Sequence, residues 1–211
     1  MPGRAAAMGP GIADLGPSLH LVRHGEVDNP GHLVYGDLPR FGLTSAGRRQ
    51  AMAAARHLSR RPIERVVCSP LMRAVSTAWA IGSRHGLVPE IDPRLTEWSL
   101  NPAWRGRSWD DLPGLFPGQV EAYLADPTTL DFVTETIHLV GQRVVAAIEE
   151  AWDGRIDRWE DVVIVFHQDP METAGRLLTG RGFDDYHAAK PDHGAVISMA
   201  PRWAEKLRWR P

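Results

Sequence analysis

An arginine, a histidine and a glycine, Arg23-His24-Gly25, end the apolar run Leu19 to Val22. This is the pattern of a buried parallel strand that stops in a reactive loop. A second histidine, His167, ends the apolar run Asp161 to Phe166. Phosphoryl chemistry needs cationic donors around the equatorial oxygens and a nucleophile in line with the leaving oxygen. Arg23 adjoins His24, and Arg73 lies one turn into a helix expected to open at Ser69-Pro70. Helical side chains lean toward the N-terminus, so the Arg73 guanidinium reaches the strand-end edge. Helix N-termini there add dipoles that favour an anion. Two arginines also disfavour protonation of His24, which keeps it a neutral nucleophile near pH 7. Glu97 directly precedes Trp98 in a segment without regular period. A carboxyl shielded by aromatic groups has a raised pKa, which suits an acid that protonates a leaving alkoxide and later takes a proton from water. Asp169 is its rival, but its place before Pro170 reads as a helix cap.

These residues need a sheet to hold them. Ser18 to Arg23 is the first expected strand, and Val27 to Gly42, full of Gly, Pro, Asn and Asp, is a loop beside the site. Thr44 or Ser45 caps a helix to about Ser59 that buries Ala51, Met52, Ala55 and Leu58 and leaves Arg48, Arg49 and Arg56 wet. Arg65 to Cys68 is a second strand, and the helix from Ser69-Pro70 buries Leu71, Ala74, Val75, Ala78 and Ile81 and stops near Gly86. Leu87 to Ile91 is a short third strand. Residues 98 to 130, rich in Trp, Pro, Gly and Asp, form a lid-like insertion with short helices around Trp109 to Leu112 and Gln119 to Leu124. Glu135 to Trp152 carries the strongest helical period, and Asp169-Pro170 opens a helix through Leu178. Ala195 to Met199 and Lys206 to Trp209 are the closing strands. Alternating strands and helices imply an α/β fold: a three-layer α/β/α sandwich with a mainly parallel central sheet.

Residues 1–17 read as a flexible leader, with Met8 an alternative start, and 18–211 as one domain. A net charge of -2, with both signs spread along the chain, leaves no basic stripe for nucleic acid, so phosphate recognition must be local. The lone cysteine, Cys68, rules out an intramolecular disulfide and a cysteine metal cluster. No run is long enough for a membrane span and no secretory signal is evident, so a cytoplasmic location is expected. His20, His57, His85 and His138 need no function, His187 and His193 are expected at the surface, and Trp98, Trp104 and Trp109 are dense enough to line a pocket.

The ordered set of motifs resembles the histidine phosphatase superfamily, which contains cofactor-dependent phosphoglycerate mutases and many small phosphatases. The matching pieces are Leu21-Val22-Arg23-His24-Gly25-Glu26; Leu43-Thr44 through Gly47-Arg48 and Gln50-Ala51; Ser69-Pro70-Leu71 with Arg73-Ala74 and Thr77-Ala78; Leu95 with Glu97; and the strand into His167 with Pro170 after it. The resemblance implies a phosphoglycerate mutase-like fold and a phosphohistidine mechanism with no metal and no cofactor. His24 would be the nucleophile, Arg23, Arg73 and His167 would bind phosphoryl oxygens, and Glu97 would be the acid and then the base. Asn29 would be an extra phosphate ligand, one residue nearer His24 than the asparagine of many relatives. The implied partner is a small phosphorylated substrate, and a homodimer is an open arrangement.

Two departures bear on function. Gln168 follows His167 where relatives carry glycine, and Asn101 with Trp104-Arg105-Gly106 replaces a glycine and a Trp-Glu-Gly run. Asn tolerates positive φ, so the turn at Asn101 is expected to survive. A mutase must exclude water while a phosphatase admits it, and the segment after Glu97 lacks the mutase pattern of arginine, histidine and tyrosine. Hydrolysis of small phosphate monoesters is therefore the expected activity. Mutase-type phosphoryl transfer and a noncatalytic module that binds phosphate esters remain alternatives. A metal held by His24, His167 and Glu97 is disfavoured because two arginines repel a divalent cation. Arg105 and Arg107 are candidates for a second anionic group of the substrate.

Overall fold

The computed structural model describes residues 17–152, 160–188 and 190–199. The expected leader, apart from Pro17, and the expected strand at Lys206 to Trp209 lie outside the described residues. Five strands form one sheet: β1 (Leu19–Arg23), β2 (Ile63–Cys68), β3 (Glu90–Ile91), β4 (Asp161–Phe166) and β5 (Val196–Met199). Their order is β3-β2-β4-β1-β5. The first four run parallel, and β5 adds antiparallel to β1 at the edge.

Alternate side chains of each strand serve opposite layers. Val22, Val66, Cys68, Val163 and Val165 face helices α1 (Ser45–Leu58) and α2 (Met72–Gly82). Leu19, Leu21, Val67, Ile164 and Phe166 lie in the second cluster, with α5 (Ile137–Trp152) and α6 (Gln168–Thr179). The short helices α3 (Leu112–Leu115) and α4 (Gln119–Ala125) belong to the insertion and extend that second layer. The three-layer α/β/α arrangement is the expected one. Every strand residue of β4 is buried, because the strand is central and covered on both faces. Each buried Val, Leu or Ile there contributes roughly 2 kcal/mol against exposure.

Local differences have local causes. Met52 is 39% exposed and Ala54 takes its expected place, since Gly47, Ala51, Ala54, Ala55 and Leu58 define the buried face of α1. Thr44 caps that helix, its hydroxyl accepting from the Gly47 N–H at 2.9 Å. α2 starts at Met72 rather than Ser69, with Leu71 in the extended cap position and no side-chain cap. It ends at Gly82, before Gly86, because the chain turns back there and the Leu87 N–H bonds to the Gly82 carbonyl at 2.9 Å.

The loop after β1 is fixed by close backbone approach. A Cβ at Gly25 would stand 2.3 Å from the Gly47 carbonyl oxygen, and one at Gly47 would stand 2.1 Å from that of Glu26. Only glycine at both positions lets the loop lie on the first turn of α1. Gly25 N–H donates to Thr77 Oγ1 at 3.2 Å, and Glu26 N–H donates to Gln50 Oε1 at 2.7 Å. At the opposite edge of the sheet, Asp161 is fully buried. It accepts from Arg61 Nε at 2.6 Å and the Ser18 N–H at 2.7 Å, and it contacts His20 Nε2 at 2.9 Å.

Candidate active site

Strand order brings the reactive residues together. β1 and β4 are adjacent and in register, Arg23 opposite Phe166, so the next residues, His24 and His167, lie side by side at the carboxyl edge. Their ring centroids are 5.1 Å apart. β2 flanks β4 on its other side and sends the chain through Ser69 into α2, which carries Arg73.

The Nδ1 of His24 lies 2.7 Å from the Gly25 carbonyl, a contact that requires an Nδ1–H donor. In the neutral ring the lone pair is then on Nε2. Burial holds the His24 pKa well below its usual 6.5, and the charge of Arg73 adds to that. Burial, more than the two arginines expected to do so, keeps the ring neutral. Arg73 is fully buried. Its Nε donates to His167 Nδ1 at 3.3 Å, its other nitrogens donate to the Leu38 and Gly36 carbonyls, and it stacks 4.7 Å from the Tyr35 ring centroid. With Nδ1 accepting, His167 Nε2 carries the proton and donates to Ser69 Oγ at 2.7 Å. Ser69, read from sequence as a helix cap, thus orients the second histidine. Both nitrogens of His167 are committed, which does not suit it to the metal-ligand alternative. Among the described residues no group of three or more His, Cys, Asp or Glu is disposed to hold a metal.

Arg23 donates to the Pro191 carbonyl at 2.6 Å and to His193 Nε2 at 3.0 Å, while its Nε is buried without a partner. His193, expected at the surface, therefore sits in the site, its ring 5.5 Å from that of His24. Burial, then the Arg23 charge, pushes its pKa down to about 4, so it stays a neutral acceptor. Arg176 holds the segment that directly follows α6, donating to Asp185 Oδ1 at 2.6 Å, and it also donates to Glu172 at 2.7 Å. His187, also expected at the surface, is half-buried against the Tyr123 carbonyl.

Glu97 lines the same cavity as Arg23 and His24, a space of about 290 Å³. Burial and then the neighbouring Asp169 push its pKa up to about 8, against a weaker pull from the Trp98 N–H that its Oε1 accepts at 2.8 Å. Its chain segment is held from both sides. Arg143 of α5 donates to the Arg94 and Thr96 carbonyls at 2.6 and 2.7 Å, and Trp98 Nε1 donates to the Glu135 carbonyl at 2.7 Å. Arg143 reads from sequence as one more charge on an amphipathic helix, so its role was invisible there. Asp169 is not the helix cap that the sequence suggested: His167 occupies that position without a side-chain bond, and Asp169 sits in the first turn of α6 facing the cavity.

Other candidates have partners elsewhere. Asn29 closes its own loop, donating to the Leu33 carbonyl at 2.9 Å and accepting from the Leu33 N–H at 3.0 Å, and it does not line the cavity. Asn101 has φ of -89°, and the positive φ belongs to Leu100, at 52°. The Asn101 side chain is instead used as a cap, accepting from Ala103 N–H at 2.9 Å and donating to Gln119 at 3.0 Å. Arg105 pairs with Asp37, and neither it nor Arg107 lines the cavity. Gln168 does.

A neutral, oriented imidazole thus stands near the half-buried Arg23, the buried Arg73 and a carboxyl whose pKa burial raises. The family model of the histidine phosphatase superfamily (branch 1) matches residues 19–206, and the chain belongs to that family. It is 35% identical over 207 residues to the glucosyl-3-phosphoglycerate phosphatase of Mycobacterium tuberculosis, covering 91% of each chain. It is 30% identical over 189 residues to phosphoserine phosphatase 1 of Hydrogenobacter thermophilus, covering 87% of each. The solved structure of a mycobacterial glucosyl-3-phosphoglycerate phosphatase with VO3 superposes with a TM-score of 0.76 at 28% identity, covering 88% of this chain and 93% of that one.

Proposed function

We propose that the protein hydrolyses small phosphate monoesters without a metal, through a phosphohistidine at His24. The observation that carries this reading is the neutral His24, with Nδ1 bound to the Gly25 carbonyl, beside the unpartnered Arg23 Nε. Nε2 attacks phosphorus as the ester P–O bond breaks, and Glu97 gives its proton to the leaving alkoxide. Arg23, on the cavity, draws charge from the phosphoryl oxygens, while Arg73 and His167 stand behind the lining, bonded to one another and to Gly36, Leu38 and Ser69, and reach phosphate by exchanging those bonds. The Glu97 carboxylate then takes a proton from water, hydroxide attacks phosphorus, and the P–N bond breaks to return neutral His24. A Glu97 pKa of about 8 supports the acid role at neutral pH. The names of the two relatives, both phosphatases, support hydrolysis over mutase transfer. A cytoplasmic location and a homodimer belong to the same proposal and are checked by cell fractionation and light scattering.

The test is turnover of purified protein on a panel of phosphate esters with EDTA present, including glucosyl-3-phosphoglycerate, phosphoserine and 3-phosphoglycerate with bisphosphoglycerate. Phosphate release despite chelator supports the reading. Isomerisation without release would replace it with mutase transfer, and binding without turnover would replace it with a noncatalytic module.

A further inference from the structure

The cavity has a mixed lining. Arg23, His24, Glu97 and Asp169 share it with the apolar and aromatic side chains of Val34, Leu100, Trp109, Tyr123 and Leu124. Trp109 and Tyr123 stand with ring centroids 6.2 Å apart. Among the described residues, the one cation lining the cavity besides Arg23 is Lys190, whose Nζ lies over the Tyr123 ring at 5.6 Å. Arg105, the sequence candidate for a second anion, is tied to Asp37 outside the cavity. Asp169, on the same cavity, also disfavours a second negative group close to the phosphate.

The wall includes a strained residue. Leu100 has φ of 52°, a region that L side chains other than Asn and Asp rarely adopt, yet it is buried at the cavity. Its neighbours fix it there. On one side Asn101 caps the following turn and bonds Gln119, which also accepts from Trp104 Nε1 at 3.0 Å; on the other, Trp98 is anchored on Glu135. Strain held in place at a ligand cavity is an observation that points toward function.

We propose that the site is built for a phosphate monoester whose alcohol carries an apolar ring and no second anionic group near the phosphate, and that Leu100 is a specificity-determining residue for it. The ring lies on the Trp109 and Tyr123 side of the cavity while the phosphate meets Arg23 and His24. This rests on the phosphatase reading for turnover, but the ring preference is a property of binding and is measured separately.

The experiment compares 3-phenylpropyl phosphate with propyl phosphate. Both release a primary alkoxide of similar basicity, so a difference in kcat/KM reports the wall and not the leaving group. The expected advantage of the phenyl ester is about tenfold or more, on the scale of apolar-pocket discrimination. In Leu100→Gly, which relieves the positive φ, and in Leu100→Asn, which tolerates it but is polar, that ratio should fall about fivefold. Binding of 3-phenylpropylphosphonate against propylphosphonate, read by calorimetry, is measured in parallel. Turnover with equal kcat/KM for the two esters, a ratio unchanged in both variants, or faster turnover of phosphoserine or 3-phosphoglycerate would overturn the inference and leave the phosphatase standing. A ring preference in phosphonate binding without turnover of any ester would uphold the inference and overturn the phosphatase. Neither turnover nor ring preference would overturn both.

Discussion

Replacing Glu97 with Gln tests the acid role through a number that the structure supplies. With its pKa at about 8, Glu97 is roughly nine-tenths protonated at pH 7; at its ordinary 4.5, about one molecule in three hundred would be. Burial beside Asp169 thus raises the supply of acid by roughly 300-fold. Glu97→Gln should lower kcat/KM for an alkyl phosphate by about 100-fold to 1,000-fold at pH 7, the range of a lost general acid. Nitrophenolate needs little protonation, so the burst of nitrophenol from nitrophenyl phosphate should slow by less than about tenfold. Its steady state should fall further, because the variant lacks the base that activates water. The sign of the pH effect follows from the raised value. The acid is present below pH 8 and lost above it, so wild-type kcat/KM for the alkyl ester should decline as pH rises through about 8, and the variant should lack that limb. Equal losses on both esters, or a limb that survives in Glu97→Gln, would refute the assignment and make Asp169→Asn the next variant.

Three further outcomes follow from the same geometry. His24→Ala should abolish both turnover and the acid-labile phosphohistidine detected by phosphorus NMR after quenching, and an active variant would sink the mechanism. For Asp161, burial pushes the carboxyl up, but bonds from His20, Arg61 and Ser18 outweigh it and leave the pKa below 3.8. Its stabilisation is therefore full above pH 3.8 and lost as pH falls through the lower folded value. Asp161→Asn should cost about 3 kcal/mol in urea unfolding at pH 7 and show a shallower loss of stability in acid; the same acid profile in both proteins would contradict this. Gly47→Ala should cost more than about 2 kcal/mol and weaken catalysis, because its Cβ would meet the Glu26 carbonyl oxygen at 2.1 Å and displace the loop behind His24. A melting temperature equal to wild type would show that the loop yields freely.

Much of the architecture was readable because the relevant patterns are short in range. The stripe Ile137, Val140, Val144, Ala147, Ile148 and Ala151 of α5 is buried throughout, and β4 needed only its apolar run. Helix starts were less legible. Ser69-Pro70 has the sequence of a cap and a first turn, but its hydroxyl is used by His167, 98 residues away, and no local rule contains that demand. Asp169 was misread for a related reason: a carboxylate at a helix start satisfies both a cap and a cavity, and only the position of Glu97 distinguishes them.

His24, Arg23, Arg73, Glu97 and His167 were nameable from residue type, place in the pattern and family order. Sequence by itself also determined the alternation of strands and helices, since this depends on the chain's immediate neighbours. Tertiary structure decided what those residues experience. It buried His24 and Glu97 enough to make one neutral and keep the other protonated, and it committed Asn29 and Arg105 to partners outside the cavity. It also moved the positive φ from Asn101 to Leu100 and brought His193 and Arg143 into supporting roles. The physical reason is that desolvation and hydrogen-bond competition are sums over everything that packs around a group, and most of what packs around this site is distant in the chain.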